Sequence, residues 1–408
     1  MRPYPLIVLR EFFHKGGIPG YFFLMGDIIS VFTTRQRDPE LYASVDKSSV
    51  ITLAYLAICL FYCIFSLPTI QGKKALRVLT RKPMIFLTLY CCLCVFSSLW
   101  SPRIFYTGFR AIECLIYLFL ITLLGINLKE KSNKQEQEMV EWVILWALWV
   151  VFWGIIQMVK ALGISSLATI DVFATGGRVV GMVVFFAFFI SRRHILAAIL
   201  LIFSFLSLIN KIYFGFIFGL FSALTVGNIK MRIALPFLTG TLILVFILFG
   251  MTSIQKTLWY GYEDVGWRYT NGRDYIWLYS LDLALQKPIL GYGFVTGEKE
   301  ALNSDNMGGV ISTHNCFLSA FLGVGIIGPI LLFLFFMELI RLVLRANLPE
   351  RFRAGMMGTI IMALCLSITD PGIGGRVYGS WISVVLTSVF MSIISWNNLI
   401  QCSNREFS

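Results

Sequence analysis

The chain has 408 residues, with 34 Lys and Arg against 22 Asp and Glu, a formal charge of +12. Hydrophobic residues make up 57% and charged residues only 14%, at a mean hydropathy of +0.78. A water-covered surface needs about 25% charged residues, so a soluble domain is excluded, as are disorder, a coiled coil and a disulfide scaffold. DNA-binding proteins are basic but not this apolar. What remains is an all-α polytopic membrane protein, whose helices face lipid and whose Lys and Arg collect on cytoplasmic connections.

A span takes roughly 20 apolar residues, fewer where a helix is short. In chain order the strong runs are Ser48–Pro68, Met84–Trp100, Tyr106–Ile126, Glu141–Leu162, Ile195–Ile209, Ile212–Gly227, Ile233–Met251, Cys316–Ile340, Gly355–Thr369 and Val377–Trp396. Two shorter runs are Ile18–Phe32, which carries Asp27, and Val179–Ile190, bounded by Arg178 and Arg192. Together they predict about 12 helices. Without Ile18–Phe32 the number falls by one, and Arg2, Arg10 and Lys15 move to the outside.

Charge orients the spans. With the N-terminus inside, the inner connections hold Arg2, Arg10 and Lys15, then Lys73, Lys74, Arg77, Arg81 and Lys82, then Lys129, Lys131 and Lys134. Arg192 and Arg193, Lys230 and Arg232, and Arg341, Arg345, Arg351 and Arg353 continue the alternation. Both termini are then cytoplasmic. The polar, basic start lacks a small-residue cleavage site, so no cleavable signal peptide is expected. No internal repeat is visible, and residues 1–408 read as one integral membrane domain. Cys91, Cys92 and Cys94 lie in an apolar run and read as small buried hydrophobes rather than metal ligands.

One connection stands out. Residues 252–313 form a long extracytoplasmic loop between helices 9 and 10, and a loop of that length in a compact protein is usually functional. Asn271 suits an N-cap, with Asp274 in the first turn that follows. Trp277, Leu281, Ala284 and Leu285 then recur at helical spacing up to the stop at Pro288. The stripe predicts a helix at the membrane surface with Trp277 in the interface and Arg273 on its first turn. Gly291-Tyr292-Gly293 reads as a tight turn that also permits close approach to a ligand. Glu298-Lys299-Glu300 reads as solvated loop.

The loop ends at Ser312-Thr313-His314-Asn315-Cys316. His314 is the outward-facing histidine of the three, at the mouth of the tenth helix. An ionisable group there is a functional candidate, although a cap or an interface anchor explains it equally simply. Arg178, Lys211 and Arg376 also stand at outer helix ends, where long cations snorkel to lipid phosphate or gather around an anionic site. Neither a metal cluster nor a Ser-His-Asp arrangement has suitable spacing.

At these residues the chain resembles a known family. Gly272-Arg273-Asp274-Tyr275-Ile276-Trp277, then Pro288-Ile289-Leu290-Gly291-Tyr292-Gly293-Phe294, then His314-Asn315-Cys316-Phe317-Leu318 with Gly323, Gly325 and Gly328 behind it, are similar to the ordered motifs of the O-antigen ligase and Wzy-type polysaccharide polymerase superfamily. Gly177-Arg178-Val179 resembles that family's outward arginine near mid-chain. Asn210-Lys211 stands where many members have Ser-Arg.

The resemblance implies a metal-independent and cofactor-free glycosyltransferase in a bacterial cytoplasmic membrane, with its active site extracytoplasmic. It implies a donor glycan on undecaprenyl pyrophosphate, an acceptor glycan or lipid A core, and a chain-length regulator as a further partner, with no nucleic acid. It assigns catalysis to His314, Arg273 and Arg178, and substrate binding to Asn315, Lys211, Arg376, Gly291 and Gly293. Guanidinium groups suit a leaving pyrophosphate, and a neutral imidazole suits an attacking hydroxyl. A polymerase passes the chain to a new lipid-linked unit, whereas a ligase passes it to lipid A core. The Pro288–Phe294 string looks most like exopolysaccharide polymerases. A polysaccharide flippase is the reading from another class, and it leaves Arg273 and His314 on the long loop unexplained.

Overall fold

A computed structural model describes residues 16–26, 28–29, 47–130, 135–161, 178, 180–206, 210–226, 273–302, 312–368, 372 and 383–394. Helices and turns account for them, with no strand among the described residues. In order the helices are α1 (16–26), α2 (Lys47–Ser66), α3 (Ile70–Leu79), α4 (Met84–Phe96), α5 (Ile104–Glu130), α6 (Gln135–Ala161) and α7 (Val180–Ile190). There follow α8 (His194–Leu206), α9 (Asn210–Val226), α10 (Arg273–Gln286), α11 (Thr296–Leu302), α12 (Cys316–Val324), α13 (Ile327–Arg345), α14 (Glu350–Ile368) and α15 (Ser383–Ile394).

Among the described residues four helices are long and apolar enough to cross a membrane: Ser49–Ser66, Ile104–Leu128, Ile327–Arg345 and Glu350–Ile368. The pair α3 and α4, bent by 90°, meets the same length and composition only if its two helices count as one broken span. Shorter apolar helices surround them, so the chain is an all-α protein of membrane character. The expected span Ile233–Met251 and the first part of the long loop lie outside the described residues.

Two expected elements differ from the sequence reading. The run Cys316–Ile340 is not one helix: it breaks at Gly325, whose φ of 77° no L side chain adopts comfortably. The basic connection 69–83 is largely helical. Thr69 caps α3 by accepting from the Gly72 N–H at 3.1 Å, and Lys73, Lys74 and Arg77 ride on its polar side.

α5 is the axis of the first half. Its apolar window is 83% buried, against 28% for α2, because α2, α3, α4 and α6 all pack on it while one side of α2 is left to lipid. α13 lies on α4, and α14 joins it to the second half through close contact with α9. That last contact is built from small residues, since a Cβ on Gly219 would lie 2.7 Å from the Gly358 carbonyl oxygen.

Ion pairs mark one end of the bundle. Lys82 and Arg341 reach Glu338 at 3.6 and 3.2 Å, and Arg193 reaches Glu141 at 3.5 Å, so cations of three basic connections are paired there. The other end of α4, from Ser97 onward, meets the chain around Phe294. The residues singled out in the long loop therefore sit at the end opposite the Lys82 cluster.

Candidate functional site

The site is assembled on a seam between two glycine-rich segments. The Tyr292 N–H donates to the Leu322 carbonyl at 2.7 Å, and the Gly293 N–H to Gly323 at 2.8 Å. Ile326 N–H donates to Pro288 at 2.8 Å. Gly291 and Gly325, at φ 67° and 77°, make this possible. A Cβ on Gly325 would lie 2.0 Å from the Ile289 oxygen, and one on Gly291 would lie 2.6 Å from the Leu322 oxygen. The close approach that Gly291 and Gly293 permit is thus to the chain itself.

The seam is tied to the core by buried hydroxyls. The Phe294 N–H donates to Ser97 Oγ at 2.9 Å, and the Phe294 ring stands edge-on to Tyr90. Thr107 Oγ1 bridges Ser101 at 2.7 Å and Thr296 at 2.6 Å. Trp100 Nε1 donates to the Leu290 carbonyl at 2.9 Å. The bonds of Ser97, Ser101, Thr107 and Thr296 satisfy polar groups that burial would otherwise leave costly.

α11 follows directly: the segment expected as solvated loop is helical, and the solvated reading fails for Glu298 while Glu300 is exposed. Glu298 is buried. Its Oε1 accepts from the Thr313 N–H, from Ser319 Oγ at 2.9 Å and from Ser312 Oγ at 3.2 Å. Burial pushes its carboxyl above the ordinary carboxylate range, and these hydrogen bonds oppose that rise. Glu300 pairs with Arg103 at 3.1 Å, and the Lys299 ammonium lies 5.6 Å from the Tyr106 ring centre. The sequence missed this because a three-residue charge run carries no burial signal.

His314 stands between these contacts and α12. It is half-buried, and its φ of 51° places it in the left-handed region that non-glycine residues rarely occupy. Its N–H donates to Ser312 Oγ at 3.2 Å. Thr313 Oγ1 meets Ser319 Oγ at 2.7 Å. Asn315 is the N-cap of α12, its Oδ1 accepting from the Phe317 and Leu318 N–H groups at 3.0 Å each. That gives Asn315 a structural task.

Arg273 opens α10, and the helix is pinned beside His314: Trp277 Nε1, one turn further on, donates to the Thr313 carbonyl at 2.9 Å. α10 packs on the protein through Ile276, Ser280 and Ala284, and Leu281 and Leu285 of the apolar stripe are exposed beside that ridge. Small Ser280 and Ala284 let the helix approach α12. The structure thus brings together the N-terminal end of α10, the glycine seam, Asn315 and His314.

Arg178 and Lys211 belong to a second group of helix ends. Arg178 precedes α7 and is half-buried, and Lys211 is in the first turn of α9. A Cβ on Gly181 would lie 3.6 Å from Ile212, so the two helix starts are neighbours. Arg376 lies outside the described residues. Among the described residues no group of three or more His, Cys, Asp or Glu comes together to hold a metal ion. An open depression of about 500 Å³, lined by Arg192, Arg193, His194, Ile195, Leu196 and Ile199, is at the opposite end of the bundle. No protein-family model matches this chain, and no curated protein matches it.

Proposed function

We propose that this protein is a membrane glycosyltransferase that polymerises oligosaccharide units carried on undecaprenyl pyrophosphate, on the extracytoplasmic side of a bacterial cytoplasmic membrane. The observation that carries the reading is His314, held in a left-handed conformation at the mouth of an apolar helix while α10, beginning at Arg273, is fastened to the adjacent residue. Strained backbone that several hydrogen bonds maintain concentrates at functional sites. The ordered motifs of the sequence supply the chemical class.

In this reading the acceptor sugar hydroxyl attacks the anomeric carbon of the donor. The new glycosidic C–O bond forms as the bond to the pyrophosphate oxygen breaks, and that oxygen keeps the electron pair. His314 takes the hydroxyl proton. Arg273 and Arg178 bind the leaving pyrophosphate, with Lys211 and Arg376 in support. The proton leaves His314 to water or to the released pyrophosphate. Electrostatics and positioning do the work, and no step calls for a cofactor.

The test is reconstitution in vesicles with a defined undecaprenyl-pyrophosphate repeat unit. A ladder of products with no other acceptor present is the expected result. Transfer only after lipid A core is added makes the protein an O-antigen ligase acting on the same donor. Passage of the unit across the bilayer without any transfer overturns the reading in favour of a transporter.

A further inference from the structure

We propose that Glu298 is the positioning residue for His314: its Oε1 holds the Thr313 peptide, and that hold fixes His314 in the left-handed conformation from which the imidazole meets the acceptor hydroxyl. This rests on the reading of His314 as the base.

Four observations lead there. First, a carboxylate is an expensive group to bury, and an apolar residue would fill the space at lower cost. Glu298 is buried all the same, with its accepting atom aimed at the residue before His314. Second, the hydrogen bonds from the Thr313 N–H, Ser312 Oγ and Ser319 Oγ converge on Oε1. Ser312 is also the acceptor for the His314 N–H, so the carboxylate grips both the peptide before His314 and the hydroxyl that holds His314 itself. Third, His314 needs restraint, because at φ 51° a β-carbon is crowded and the residue relaxes when released. Fourth, Glu298 is itself anchored to the core. The segment before it carries Val295 at φ 59°, another residue in the unfavourable region, and is fixed by the Ser97–Phe294 bond. A rigid line therefore runs from α4 through Phe294 and α11 to Thr313 and His314.

The convergence on one oxygen makes the idea separable from a charge effect. Gln presents the same Oε1 at the same reach, with an amide in place of the second oxygen. Asp keeps the charge but falls one methylene short.

The experiment measures kcat and KM for the lipid-linked donor in proteoliposomes, together with insertion yield and thermal stability. Glu298→Ala should lower kcat by about a hundredfold and leave KM within about twofold, since the donor's own contacts are untouched. Glu298→Gln should recover activity to within about fivefold of the wild type, and Glu298→Asp should resemble the alanine variant. Glu298→Ala added to His314→Ala should cost nothing further, because a positioning residue has nothing left to position.

Wild-type kcat for Glu298→Ala overturns the inference. So does an active Glu298→Asp beside an inactive Glu298→Gln, and so does a multiplied loss in the double variant. If the alanine variant fails to insert, the Gln and Asp variants decide alone. Full activity of His314→Ala overturns the reading of the site as a whole. An inactive His314→Ala beside a fully active Glu298→Ala overturns this inference only.

Discussion

Two parts of the molecule depend on glycine and use it for opposite purposes. Between α9 and α14, glycines are helical, and their missing side chains let two apolar helices touch. In the seam between Pro288–Phe294 and Leu322–Gly325, they stand at positive φ and let two pieces of backbone exchange hydrogen bonds. The first use is about van der Waals contact in lipid, where small residues replace the hydrophobic drive. The second is about aiming: it sets Phe294, α11 and the start of α12 against one another, and His314 stands on that frame. Packing that merely holds and packing that positions should fail differently.

The largest expected effect lies at the end of the frame. His314→Ala should reduce glycan transfer by about 10²–10⁴-fold while insertion and thermal stability stay as in the wild type. Transfer rates from reconstituted protein, set beside a thermal melt in detergent, check this. A parallel fall in stability would erase the distinction between aiming and holding.

The glycines come next. Gly325→Ala places a Cβ 2.0 Å from the Ile289 oxygen and asks alanine to adopt φ 77°. It should cost about 3 kcal/mol or more and lower transfer per folded molecule. Gly219→Ala meets the Gly358 oxygen at 2.7 Å inside the apolar pair. It should cost about 1–3 kcal/mol yet leave transfer per folded molecule unchanged. Equal losses of specific activity would show that both glycine sets serve one purpose.

A smaller effect is expected at the hydroxyl chain. Thr107→Val keeps the shape but removes the bridge between Ser101 and Thr296, at about 1–3 kcal/mol, measured by the shift in unfolding midpoint. Glu298 adds a pH dependence. Burial raises its carboxyl above the ordinary range, so the folded protein binds that proton more tightly than the unfolded chain. The stability contribution is full below the ordinary carboxylate range and is lost as pH rises through the raised value. Melts across that window should show the decline, and Glu298→Gln should flatten it.

Smallest of all is Arg103→Ala. Its pair with Glu300 is exposed, so about 0–1 kcal/mol is expected, shrinking with added salt.

How much of this was legible beforehand varies with the kind of signal. Apolar runs gave the helices well: α2, α5, α6 and α14 fall where hydropathy puts them, since a helix in lipid has to be apolar along its length. The break at Gly325 was hidden inside such a run, because composition does not report φ. The motif residues Gly291, Gly293, His314 and Asn315 were visible, but Asn315 works as a cap and Gly291 as a point of backbone contact. Glu298 was misread outright. A charged residue looks solvated until three donors from a segment 14 to 21 positions away converge on it.

Sequence by itself determined the class of protein, the apolar helices and a short list of charges at helix ends, because lipid imposes composition one residue at a time. Only the tertiary structure decided which of those residues meet. It joined the glycine segments, turned the polar-looking α11 into a buried support and set His314 in a left-handed turn. Such outcomes depend on pairings between distant segments, and hydropathy carries no record of a partner.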